Sequence, residues 1–141
     1  MISQRNPYGI GAVVALDYDH AVARVKEALA TEGFGILSEI DVAATMKKKL
    51  DVDFRPYVIL GACNPQLAHE ALTAERDIGL LLPCNVIVYA GDAPGRSVVA
   101  AMDPVAALAL TGNSGIRELA ENVKTRLTRA LQTVERGAPV P

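Results

Sequence analysis

Two cysteines hold most of the chemistry that this 141-residue chain could perform. Cys63 stands in Gly61-Ala62-Cys63-Asn64-Pro65 and Cys84 in Leu82-Pro83-Cys84-Asn85-Val86, so each thiol precedes an asparagine and lies close to a proline. The thiolate is the nucleophile and the soft-metal ligand, and the free N–H groups at a helix start favour it. Asn64 as a helix cap and Pro65 in the first turn would put Cys63 at such a start. The pair is therefore expected to form a thiol site for a soft transition metal, a disulfide step or sulfur transfer. Asn64 and Asn85 are then the neighbouring donors, and Pro65 and Pro83 are further candidates for ligand contact. The alternative is a non-enzymatic module in which a pocket between the Asn64-Pro65 and Pro83-Cys84 loops takes a small ligand and the thiols only line it. A structural or partner-docking protein that uses its last helix is the third reading.

The spacing of the two thiols is not Cys-x-x-Cys, and zinc sites normally use four protein ligands or three with water, so the pair alone does not make a zinc site. Whether the thiols meet depends on strand direction. Antiparallel strands would bring both to one end of a sheet, whereas parallel strands would separate them by about 17 Å. The remaining polar groups read as structural. His20 and His69 fall off the apolar faces of their helices and are expected in solvent. Asp51, Asp53 and Arg55 read as a salt-bridged turn, Lys47-Lys48-Lys49 as a solvated helix face, and Tyr57 and Tyr89 as strand packing.

The elements that must position the thiols follow from periodicity and punctuation. Gly11 to Leu16 reads as a first strand, followed by a helix capped by Asp17 or Asp19, with Val22, Val25, Ala28 and Leu29 on its apolar stripe and its end at Gly33. Phe34 to Ile40 reads as a second strand, and Asp41 caps a helix to about Leu50. Tyr57 to Leu60, bounded by Pro56 and Gly61, reads as a buried third strand, and a helix from Pro65 to about Ala74 turns Leu67, Ala68, Ala71 and Leu72 inward. Cys84 to Ala90 and Arg96 to Met102 form a hairpin across Gly91-Asp92-Ala93-Pro94-Gly95. From about Ser114 to Glu135 the period of apolar residues is that of a long amphipathic helix. The expected fold is α+β, a largely antiparallel or mixed sheet of about five strands with helices mostly on one face. Residues 1–136 are read as one domain, with Gly137 to Pro141 as a disordered tail.

Composition narrows the function classes. Half of the residues are apolar, 21% are charged and 4% aromatic, which is the make-up of a globular domain with a sizeable core. A formal net charge of −2 leaves no broad basic face for a phosphate backbone, so nucleic acid is not an expected partner. Gly9-Ile10-Gly11 precedes a strand instead of following one, so no nucleotide cofactor is indicated. The start of the chain lacks the apolar run of a secretory signal, and the most apolar stretch, Ile78 to Ala90, is too short and too interrupted to span a bilayer. A cytoplasmic location, without membrane contact and with free thiols, is the expectation.

The segments that carry the thiols also carry a family resemblance. Phe34-Gly35-Ile36, the run Tyr57 to Pro65 with Ala68, Ala71 and Leu72 after it, Gly79 to Val86, and Asp103-Pro104 resemble, in order, the bacterial and archaeal proteins of domain of unknown function 302. The resemblance covers most of the chain and is most specific in the two proline-bearing segments. It implies a small α+β domain that associates as a homodimer, and it implies no activity.

Overall fold

In the computed structural model, described here for residues 1–137, six strands form one sheet in the order β1-β2-β6-β5-β4-β3, with every neighbouring pair antiparallel. The strands are β1 (Ser3–Asn6), β2 (Gly9–Val14), β3 (Gly35–Asp41), β4 (Tyr57–Cys63), β5 (Cys84–Ala90) and β6 (Ser97–Met102). The helices are α1 (Tyr18–Thr31), α2 (Val42–Leu50), α3 (Pro65–Ala74), α4 (Pro104–Leu108) and α5 (Ser114–Arg136), with 3₁₀ segments at Arg76–Leu81 and Ala109–Thr111. The α+β class holds. The strand count is corrected from about five to six, because the first strand is half of an N-terminal hairpin. Ser3-Gln4-Arg5-Asn6 is polar throughout and almost wholly exposed, so it has no alternation to read; its partner β2 recruits it as an edge.

Side-chain alternation sorts the sheet into two faces. Ile10, Val14, Val58, Leu60, Val86, Val88, Val99 and Ala101 point to the face covered by α1 and α5 and form one core with those helices. From α1 come Ala21, Val25, Ala28 and Leu29, and from α5 Val123, Leu127, Ala130, Leu131 and Val134, all spaced by three or four residues. Caps set the helix starts. Asp17 accepts from the His20 N–H, Asp41 from Ala44, Asn64 from Leu67, and Asn113 from Gly115. Gly137, at φ 62°, closes α5 in the left-handed conformation that glycine adopts without strain. The tail expected from Gly137 lies, beyond that residue, outside the described residues. Among the described residues no helix is long and apolar enough to cross a membrane.

Asp103 fixes the far end of β6. It is 4% exposed and accepts from the Val105 and Ala106 N–H groups at 3.0 and 3.4 Å, capping α4. Its other oxygen accepts from Lys124 of α5 at 2.9 Å and from Gln4 of β1 at 3.2 Å. One carboxylate thus ties the edge hairpin, the short helix and the long helix together. Burial alone would push its pKa up, but the Lys124 ammonium, the Ala106 N–H and the Gln4 amide outweigh burial and hold it below its ordinary value.

Candidate functional site

The sequence places Cys63 at the end of β4 and Cys84 at the start of β5, and the antiparallel register, with Ala62 opposite Cys84, brings both to one end of the sheet. One ladder step separates them diagonally, which corresponds to Cα atoms ~6 Å apart. That is inside disulfide range, yet residues one step out of register point to opposite faces, and both cysteines are free thiols. Asn64 follows Cys63 directly, and its side chain accepts from the Leu67 N–H at 3.2 Å to start α3, with Pro65 in the first turn. Gly33, at φ 87°, lies against that cap, where a Cβ would come within 2.8 Å of the Asn64 amide nitrogen. The turn out of α1 therefore needs glycine both for its backbone and for the room it leaves to Asn64.

Between this end of the sheet and α3 lies a cavity of about 280 Å³. Ala62, Cys63, Cys84 and Phe34 border it from the sheet side, and Leu119 and Val123 of α5 from the opposite wall. The face of α3 with Leu67, Ala68, Ala71 and Leu72 turns towards the space, as the periodicity predicts, but only Ala71 is buried and Leu72 stays 44% exposed. Two alanines on that face are too short to reach the sheet, so the helix lines a gap that larger residues would have filled. Leu82 and Pro83, on the way into β5, complete the rim together with Leu108 of α4. No charged residue lines the cavity, and the one side-chain amide there, Asn64, is engaged as the helix cap.

Cys84 is buried, and burial first, then the neighbouring Cys63, pushes its thiol up to about 11. At neutral pH it is a protonated, weakly polar wall group rather than a nucleophile. Cys63 is half-buried at the rim. Among the described residues no group of three or more His, Cys, Asp or Glu is placed to share a metal ion. A metal here would have only the two sulfurs from this chain.

Of the residues singled out from sequence, Cys63, Asn64, Pro83 and Cys84 come together at the cavity. Asn85 does not: it is exposed, opposite Gly61, on the face of the sheet away from Cys84. Pro65 is exposed in the first turn of α3 and does not line the space. His20 and His69 are exposed, and Lys47 pairs with Asp51 and Asp53 while Arg55 reaches Asp92 across the sheet end. Sequence reasoning missed Phe34, Leu108, Leu119 and Val123 as lining groups. The usable signal was the pair of alanines on the inward face of α3, whose small volume marks a place where packing stops short.

Comparison with known proteins gives a consistent picture. The family model described as "Domain of unknown function DUF302" matches residues 11–134. The crystal structure of an uncharacterized conserved protein DUF302 from Bacillus stearothermophilus is similar to this chain at a TM-score of 0.80 and 29% sequence identity, covering 88% of this chain and 95% of that one. No curated protein matches it significantly.

Proposed function

The chain belongs to the DUF302 family, and from that premise we propose that it is a non-enzymatic binding module for a small apolar ligand, held in the cavity between α3, α5 and the Cys63–Cys84 end of the sheet. The observation that carries this reading is the lining: an uncharged wall in which the only side-chain amide already serves as a helix cap. An apolar cavity of about 150 Å³ stays dry and takes benzene. At about 280 Å³, this one suits a bicyclic arene or a medium-length acyl chain. Burying ~200 Å² of apolar ligand surface at ~25 cal/mol/Å² supplies about 5 kcal/mol, which corresponds to a Kd on the order of 0.1 to 1 mM. Within this reading the protein is a homodimer, as the family resemblance implies.

Methyl-resolved NMR with naphthalene and with decanoate tests it. Saturable shifts confined to Leu67, Leu72, Leu108, Leu119 and Val123 are expected, and Ala68→Phe, which fills the cavity, should abolish them. The Cys63→Ser, Cys84→Ser double variant should keep binding. Absence of saturable shifts in the wild type, or their loss in the double serine variant, overturns the module.

That both cysteines border one cavity favours a second reading, a two-thiolate site for a soft metal. Native mass spectrometry of protein purified under reducing, metal-retaining conditions decides it. A stoichiometric metal lost in either single serine variant supports the thiol site, and metal-free protein removes it.

A further inference from the structure

One polar corner interrupts the apolar outline of the cavity. Asn64 uses only its Oδ1 in the cap of α3, accepting from the Leu67 N–H, and among the described residues its Nδ2 donates to nothing. Among those residues no side-chain nitrogen or oxygen is both sealed from solvent and unpartnered, so this Nδ2 stands open at the half-buried rim. Beside it is Arg126 of α5. Gly33 leaves room in front of both groups: the position of a Cβ on Gly33 lies 2.8 Å from Asn64 Nδ2 and 3.8 Å from Arg126 Nη1. Two neutral acceptors hold the guanidinium there, Asn122 Oδ1 taking from Nε at 2.8 Å and the Glu32 carbonyl from Nη1 at 3.3 Å. Its charge is unmatched. Lys26 and Lys124, also half-buried, pair with Glu39 and Asp103, and the Glu32 carboxylate is taken by Arg129, whereas Arg126 forms no ion pair among the described residues. The corner opens on the cavity, because Asn64 itself, Phe34 just after Glu32, and Val123 one turn before Arg126 all line it. The acidic residues between α3 and α5, Glu70 and Glu118, lie about 9 and about 12 Å further along the two helices.

We infer that the ligand of this cavity is a medium-chain monocarboxylate, with its acyl chain among the apolar residues and its carboxylate at the Asn64–Arg126 corner. The inference rests on the binding-module reading and narrows its ligand to one chemical class. A guanidinium offers a planar fork of donors that matches a carboxylate, and Asn64 Nδ2 adds a neutral donor on the same side of the head group. A wholly apolar ligand would leave both donors to water, and a cationic head would meet Arg126 as a like charge. A phosphate monoester carries about two charges, against which this corner sets a single cation. The chain of a monocarboxylate fits the remaining space, because nothing charged lines the cavity beyond Asn64. Arg126 is half-buried, so its charge is only partly screened by water; one charge-assisted contact from such a group is expected to favour the carboxylate by about 10-fold over a neutral head of the same chain length.

NMR titrations of the full chain with octanoate and with 1-octanol at neutral pH test the head-group site, since the two probes share a chain length and differ in charge. The wild type is expected to bind octanoate about 10-fold more tightly, with a preference that shrinks as salt is added. The Arg126 Nε–H and Asn64 Nδ2 resonances should move with octanoate and stay in place with 1-octanol. Arg126→Gln should erase the preference, and Arg126→Lys should restore part of it. Asn64→Asp keeps a good helix cap but sets a negative charge where the donor was, so it should turn the preference towards 1-octanol. Equal affinities of the wild type for the two probes, or a preference that survives Arg126→Gln, overturn the carboxylate site and leave the binding module standing. Failure of octanoate, 1-octanol and naphthalene alike overturns the module itself. If a variant does not fold, the wild-type salt dependence and the two side-chain resonances decide the matter without it.

Discussion

Replacing Asp103 by alanine should destabilise the protein by about 3 kcal/mol, and the number can be built from its partners. The carboxylate caps α4 through the Val105 and Ala106 N–H groups, and loss of an N-cap costs about 1 kcal/mol. It also takes a charge-assisted hydrogen bond from Lys124 at 2.9 Å and a weaker one from Gln4 at 3.2 Å. Such bonds contribute roughly 1.5 to 3 kcal/mol when buried. The Lys124 side chain is 34% exposed and regains water when its partner goes, so the lower end of that range applies. For a chain of this size 3 kcal/mol corresponds to a fall in Tm of about 10 °C. Asp103→Asn keeps a good cap but loses the charge, so it should cost about half as much. The pH dependence gives a stricter check. The folded pKa lies below the ordinary 3.8, so the contribution is fully present above that value and is lost as pH falls through the folded pKa. Urea unfolding of wild type and Asp103→Asn should therefore show a gap that is constant from pH 7 to about pH 5 and closes at lower pH. A gap that persists unchanged at pH 3, or an alanine variant within 0.5 kcal/mol of wild type (about the spread of a neutral surface change), would refute the reasoning.

The buried thiol makes an opposite prediction at alkaline pH. Because folding raises Cys84 from 9.0 to about 11, its contribution is complete below pH 9 and disappears as pH rises towards 11, and Cys84→Ala should lose that alkaline slope in thermal melts. Alkylation at neutral pH followed by peptide mass mapping should label Cys63 well before Cys84. Two glycines separate a soft obstacle from a hard one. A Cβ on Gly11 would run into the Val99 carbonyl oxygen and the Ala100 Cα, which are backbone, whereas one on Gly61 would meet side chains, the Ser38 hydroxyl and the edge of the Pro83 ring at 2.9 Å. Gly11→Ala should cost more than the roughly 1 to 3 kcal/mol of ordinary overpacking, and Gly61→Ala should fall within it. Chemical denaturation of the two variants compares them directly, and equal costs would show that the obstacles do not differ.

The parts of the fold with a strong local signal were readable from sequence. The apolar repeat from Ile116 to Val134 gives α5, Asn64-Pro65 gives the start of α3, and Gly91 to Gly95 gives the β5–β6 hairpin. What escaped was weakly marked. β1 is polar and exists because β2 offers it an edge, and α4, although Asp103-Pro104 is a cap-and-proline start like Asn64-Pro65, is only five residues long. The two cysteine segments were legible as strand ends, but their meeting depended on antiparallel pairing, which only the tertiary ladder decides. The role of Asn85 was not legible, because similar Cys-Asn dipeptides sit differently. Cys63-Asn64 leaves its strand and Asn64 turns to cap a helix, while Cys84-Asn85 enters one and the pleat sends Asn85 to the other side.

The same pleat divides this end of the sheet into an inner and an outer side. Along β4 and β5, Ala62 and Cys84 face the helices and the cavity, while Gly61 and Asn85, each one residue away, face the open side. The residues that keep the inner space open are the alanines of α3. Glycine at 61 is what allows the faces to stay so close at this end. With no Cβ there, Ser38 and Pro83 close over β4 on the outer side, while Ala62 leaves its neighbouring position clear on the inner one. A larger residue at 61 would press on Pro83, which belongs to the cavity rim, so this strand end is where a change on one face would reach the other.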